Sequence, residues 1–191
     1  MHEDNLPALL AADLNSAFER LAREYQQRIY AFALRLSGRR EDAEEIAQDT
    51  LVRAYRALAA YPPERVRLLA LRPWLFQIAL NVARNRARIR TLPSQSLHGG
   101  NEGTVMDFRD DEDEQPERVV ERGERTRELA ALLMALPERY RAAVVLRHVE
   151  SLGYAEIASV LGQPVGTVKA NVHRGVRLLR EALIQQMSAV R

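Results

Sequence analysis

Residues 161–175, LGQPVGTVKANVHRG, decide how the carboxy-terminal part of this chain folds. An apolar helical pattern leads into them, with Tyr154, Ile157, Ala158 and Leu161 at i, i+3, i+4 and i+7. Gly162 can take the left-handed conformation that ends a helix, and Pro164 cannot continue one. The apolar spacing then resumes at Val165, Val168, Val172, Val176 and Leu179, in steps of 3, 4, 4 and 3. The reading is a helix from Tyr154 to Leu161, a turn at Gly162-Gln163-Pro164, and a second helix from Val165 to about Leu179. Small Ala158 permits the two helices to approach closely. With Val168 and Val172 turned inward, the opposite face presents Thr167, Ala170, Asn171 and Arg174, flanked by Lys169 and His173. Gly166 and Thr167 open that helix, where free backbone N–H groups attract phosphate. In a major groove Asn pairs with adenine, Arg with guanine, and an Ala methyl meets the thymine methyl. The pattern reads as a helix-turn-helix facing DNA; the plainer alternative is a helical hairpin with a solvated polar face.

Outward from this corner the chain is helical in character. Ala, Leu and Arg are abundant and aromatic residues make up only 6% of the 191 residues, so an all-α fold is expected. The absence of cysteine excludes disulfides, Cys-ligated zinc and thiol nucleophiles. The acidic start MHEDNLPALLAADLN has no long apolar core, so neither a signal peptide nor a membrane span is expected, and the cytoplasm is the default. Net charge is +2, but it is unevenly spread. Residues 14–92 hold 15 Arg against 8 acids; 93–128 hold 5 Arg against 11 acids; 129–191 hold 8 cations against 4 acids. Two basic blocks flank an acidic connector, which suits a polyanionic partner.

In the first block, Leu14, Phe18, Leu21, Tyr25, Ile29, Phe32 and Leu36 form one stripe on a long helix that Ser37-Gly38 ends. A second helix buries Ala47, Leu51, Ala54 and Leu58 and exposes Asp42, Glu45, Gln48 (or Asp49) and Arg53, a mixed-charge face suited to a basic protein partner or to internal i, i+4 pairing. The stretch AAYPPERVR, with two prolines, interrupts it. A third helix restarts near Pro73, burying Leu75, Ile78 and Val82, with Trp74 read as core. Its polar stripe, Asn81, Arg84, Asn85 and Arg88, suits bases and phosphates together, with Arg86 and Arg90 beside it; a merely solvated face is the alternative. Tyr61, in the Pro-containing loop, is placed to stack on an unpaired base. From about Thr91 to Glu124 no periodicity appears, and a flexible acidic linker is expected. In the second block Ala142, Val145, Leu146 and Val149 form a further inward stripe. The domain reading is an amino-terminal extension at 1–13, a helical domain at 14–92, a linker at 93–127 and a helix-turn-helix domain at 128–191.

Three stretches in order, DAEEIAQDTLVRAYRAL, RPWLFQIALNVARNRARIR and ALPERYRAAVVLRHVESLGYAEIASVLGQPVGTVKANVHRGVRLLREAL, resemble bacterial RNA polymerase sigma factors of the sigma-70 family, extracytoplasmic-function (ECF) type. The resemblance runs from about Phe18 to Leu183. It implies a subunit that binds core RNA polymerase, directs it to specific promoters and helps melt the minus-ten element. Asp42, Glu45, Gln48, Asp49 and Arg53 would then dock on the β′ clamp, and a Leu136–Val149 helix would meet the β flap. The loop from Tyr61 to Leu71, with Asn81, Arg84, Asn85 and Arg88, would read the minus-ten element, capturing a flipped base. Gly166, Thr167, Lys169, Ala170, Asn171, His173 and Arg174 would read the minus-thirty-five element. The acidic stretch from Asp107 to Glu117 would thread the polymerase channel towards the RNA exit. The resemblance also implies an anti-sigma partner and no small-molecule substrate, cofactor or metal. The chain departs from its relatives at GTVKANVHRGV, where Ala170-Asn171 stand for the commoner Ser-Arg and Gly175 for Ala.

Two other classes compete. An autonomous repressor or activator would need an effector pocket and a dimer interface, for which the sequence carries no signal. An enzyme such as a nuclease would need a catalytic cluster, but His2, His98, His148 and His173 are scattered.

Overall fold

The computed structural model describes residues 6–91 and 128–189. The linker at 93–127, His2, His98 and the Asp107–Glu117 stretch lie outside the described residues, so the expectations placed on them have no structural counterpart here. The described residues are helical throughout, in two packed halves. The first half comprises α1 (Leu6–Ala12), α2 (Leu14–Ser37), α3 (Arg40–Ala60), α4 (Pro63–Arg67) and α5 (Leu71–Thr91). The second comprises α6 (128–135), α7 (Glu138–Val144), a π turn (Val145–Val149), α8 (Tyr154–Leu161) and α9 (Val165–Ala189).

Local chemistry fixes the ends of α2. The Asp13 carboxylate accepts from the Ser16 backbone N–H at 3.3 Å and from its hydroxyl at 2.5 Å, capping the free donors of the first turn. At the other end Gly38 adopts φ 72°, and its N–H donates to the Leu34 carbonyl. The α2 stripe buries Leu21, Tyr25, Ile29 and Phe32, the last meeting Phe76 of α5 edge to face at 5.1 Å. Of the expected inward residues of α3, Ala47, Ala54 and Leu58 are buried and Leu51 is half-buried against the core, joined by buried Ala43, Ile46 and Thr50. The Thr50 hydroxyl donates to the Ile46 carbonyl at 2.6 Å, so its burial leaves no unpaired group.

Three expectations are corrected. The proline stretch is not simply a break: Pro63 starts the short helix α4, since a fixed φ and a missing N–H cost nothing at a first helical position. The stretch read as an extension carries α1, whose Leu6 and Leu10 are buried against α4 and α2, so it belongs to the core of the first half. Finally, the stripe through Val149 does not hold. The helix widens into a π turn at Val145–Val149, leaving Val149 43% exposed and turning Glu150 inward. One extra residue per turn shifts the facing register. Ser151, at φ 53°, then ends the segment.

The halves share one continuous apolar core, in which α5 packs on α8. Polar contacts line the seam. Arg28 donates to the Glu150 carboxylate at 3.2 Å, Arg72 donates to the Glu150 carbonyl, and Gln77 donates to the Ser159 carbonyl at 3.2 Å.

Candidate nucleic-acid interface

The turn between α8 and α9 is built as expected. Glu156 folds back to accept from the Gly153 N–H at 2.6 Å, opening α8. Gly162 closes it at φ 62°. Ile157, Val168 and Val172 are buried between the two helices, while Val165 is exposed because it occupies the first position of α9, ahead of the contact. Helix α9 runs on to Ala189, well past the expected end near Leu179. The Tyr154 ring is flanked by the Arg147 guanidinium at 4.8 Å and the Lys169 ammonium at 5.7 Å.

Thr167, Lys169, Ala170, His173 and Arg174 all lie exposed on the free face of α9, and Gly166 has open space around it. Among the described residues no carboxylate pairs with Lys169, His173 or Arg174, so their donors face outward unspent. Asn171 differs. It is half-buried and donates to the Gln163 side-chain oxygen at 3.0 Å, tying α9 to the turn. Gly175, read from sequence as a weak point in the helix, has a packing reason. A Cβ there would come within 2.5 Å of Val144 Cγ2 and 3.3 Å of Tyr140 Cβ, so the glycine lets α7 lie against α9.

On α5, Asn81, Asn85 and Arg88 are exposed, and Arg88 donates to the Asn85 oxygen at 3.0 Å. Arg84 is turned to the seam, where it pairs with Glu138 at 2.9 Å. Arg86 and Arg90 are both drawn to Asp42, at 3.1 and 2.6 Å, and Arg86 also pairs with Glu45. Tyr61 is not a free platform: the Arg65 guanidinium covers its ring at 3.7 Å and Trp74 lies 6.2 Å away. Trp74 is half-buried against the core, as expected. Sequence reading missed Arg65 and Leu68, the latter 88% exposed at the end of α4. A pair of leucines, Leu68-Leu69, directly after Arg67 in a Pro-containing stretch was the available signal for Leu68.

The mixed-charge face of α3 needs one correction. Asp42 is only 8% exposed and anchors Arg86 and Arg90, because the first turn of α3 abuts the end of α5. Glu45, Gln48 and Arg53 are exposed, and Asp49 pairs with Arg53 at 3.0 Å, the i, i+4 arrangement anticipated. In the second half, Leu136 is buried at the bend before α7 rather than inside a helix, since Pro137 caps α7. Among the described residues no group of three His, Asp or Glu is placed to hold a metal ion, and no helix is long and apolar enough to cross a membrane.

A helix-turn-helix with an exposed cationic face, packed on a bundle with its own Arg/Asn helix, is the build of a two-part DNA-binding protein. Comparison with known proteins supplies the family. Residues 21–91 match the model for sigma-70 region 2, and residues 126–179 the model for sigma-70 region 4. The chain is 33% identical over 171 residues to the ECF RNA polymerase sigma factor SigW of Bacillus subtilis, covering 87% of this chain and 89% of that protein. It is 33% identical to the RNA polymerase sigma-H factor of Pseudomonas aeruginosa, covering 87% and 86%. Identity to the ECF sigma factor SigE of Mycolicibacterium smegmatis is 34% across 90% of this chain, which spans 63% of that relative's length. The fold is similar to that of the sigma factor RpoE solved with the anti-sigma factor NepR from Bartonella quintana. That match has a TM-score of 0.69 and 24% identity, covering 87% of this chain and 96% of that one. It is also similar to CnrH solved with the cytosolic domain of CnrY, at a TM-score of 0.65, 23% identity and coverage of 96% and 97%. The chain belongs to the ECF sigma factors of the sigma-70 family. It is a transcription initiation factor that directs RNA polymerase to promoters.

Proposed function

We propose the following division of labour within that activity. Residues 14–92 bind core polymerase and the minus-ten element, and residues 128–191 bind the minus-thirty-five element. Gly166 and Thr167 meet phosphate, while Lys169, Ala170, His173 and Arg174 face the groove, with Asn171 holding the turn. Tyr61, Asn81, Arg84, Asn85 and Arg88 engage the melted minus-ten strand, Arg84 only after leaving Glu138. Glu45, Gln48, Asp49 and Arg53 dock on the β′ clamp, with Asp42 positioning the helix from beneath. The segment from Leu136 to Val149 meets the β flap. The factor performs no covalent chemistry of its own, works in the cytoplasm beside its polymerase, and is held in check by an anti-sigma protein.

The observation carrying this reading is the α9 face, where Lys169, His173 and Arg174 are exposed and, among the described residues, paired to no carboxylate, while Val168 and Val172 are buried beneath them. Run-off transcription with core polymerase on a cognate promoter tests it. Arg174→Ala should lower initiation about 5- to 150-fold, the equivalent of ~1–3 kcal/mol for a lost bidentate base contact. Melting temperature should be unchanged. Equal initiation by the variant and the wild type would refute the assignment.

A further inference from the structure

A cavity of about 220 Å³ lies at the seam of the two halves, beside the α3 and α5 faces already described. Its floor is apolar, and its charged lining is Asp42, Arg84, Arg86, Arg90, Glu138 and Arg141. Four guanidinium groups line it with two carboxylates, and a third carboxylate, Glu45 beside it, also receives Arg86, so guanidiniums still outnumber acceptor groups. Asp42 already receives Arg86 and Arg90, and Glu138 receives Arg84. Arg141 is left over. Its Nε is buried with no acceptor among the described residues, and its Nη1 reaches only the Met134 sulfur at 2.8 Å. A guanidinium cannot shed its proton to escape this position, and a thioether is a weak acceptor. A buried donor without a partner is costly, so such a group calls for an explanation.

We infer that this cavity is a binding site for a phosphoryl group, held by Arg141 and by Arg84 or Arg90 at the rim. The oxygens of a phosphoryl group suit the planar fork of arginine better than a monatomic anion does, and Arg141 with the rim arginines supplies the positive charge to hold it. The cavity has room for such a group but not for a folded partner. Burial pulls the Arg141 pKa down, outweighing the opposing pull of the Glu138 carboxylate. Occupancy ties α5 of the first half to α7 of the second, so the ligand favours the packed arrangement of the halves.

The same chemistry has two sources, a free phosphate compound or a phosphate of the promoter backbone. The second source rests on the DNA-binding reading above; the first does not. The test uses the full chain with inorganic pyrophosphate at low salt. Wild-type Tm should rise saturably with pyrophosphate. Arg141→Met should have an equal or higher Tm without ligand, since an unpaired buried charge is gone, and should need at least tenfold more pyrophosphate for the same rise. Arg177→Gln, on the exposed side of α9, should respond like the wild type. Arg141→Gln, read in the same way, serves if the Met variant fails to fold. An equal pyrophosphate response in wild type and variant, or none in either, overturns the site. A second arm measures holoenzyme binding to promoter DNA. Binding unchanged by Arg141→Met assigns the site to a free phosphate compound, and parallel weakening assigns it to the DNA backbone.

Discussion

Gly175 illustrates how a single residue's meaning changes with its surroundings. By helix propensity alone, Gly175→Ala should stabilise α9 by up to ~1 kcal/mol. The added methyl would press on Val144, a β-branched side chain with little rotamer freedom, and overpacking of this kind costs about 1–3 kcal/mol. The variant is therefore expected to be less stable, with a lower midpoint in urea unfolding. A midpoint equal to or above that of the wild type would show that α7 can move aside. Asn171 and Asp42 teach the same lesson. Sequence placed both on polar faces, but Asn171 spans the turn to Gln163 and Asp42 gathers two arginines. A polar side chain's place in a helical repeat fixes its direction, not whether another element arrives to meet it.

At the scale of elements, the π turn at Val145–Val149 is the main departure from regular periodicity, and it turns Glu150 into the seam. Burial raises the Glu150 pKa above the ordinary range, outweighing the opposing pull of Arg28, Arg72 and Arg35. An acid whose pKa is raised on folding binds protons more readily in the folded state. Its contribution is therefore fully present below the ordinary value of 4.5 and is lost as pH rises through the raised folded value. Glu150→Gln removes this titration. Between pH 4.5 and neutrality the wild type should lose stability relative to the variant, read as the difference between their Tm profiles. Parallel profiles would count against the argument. The corner of the helix-turn-helix, by contrast, was legible: Gly162, Pro164 and the Val168/Val172 pair act locally, so no distant element is needed to place them.

Across the whole molecule, the two basic blocks share one core, and a minus-ten candidate, Arg84, is paired to the opposite half. The Arg84–Glu138 pair is partly exposed, where such contacts contribute at most ~1 kcal/mol, or about fivefold in an equilibrium. Glu138→Ala is thus expected to tighten binding of single-stranded minus-ten DNA by the free protein by about two- to fivefold, measured by fluorescence anisotropy at low salt. An affinity unchanged or weakened would show that Arg84 does not limit strand capture. The Arg/Asn composition of α5 announced a nucleic-acid face, but not that part of it would turn toward the other half.

The sequence by itself determined the helical class, the ends of α2 and α8, the inward stripes of α2 and α8 and the cationic face of α9. These depend on chain periodicity and on residues such as Gly38, Gly162 and Pro164, whose backbone preferences act within a few positions. Only the tertiary structure decided that Asp42 is buried, that Arg84 is paired, that α1 completes the core and that the Arg141 Nε has no acceptor among the described residues. Each of these depends on a partner far away along the chain, and side-chain spacing carries no record of which distant surfaces will meet.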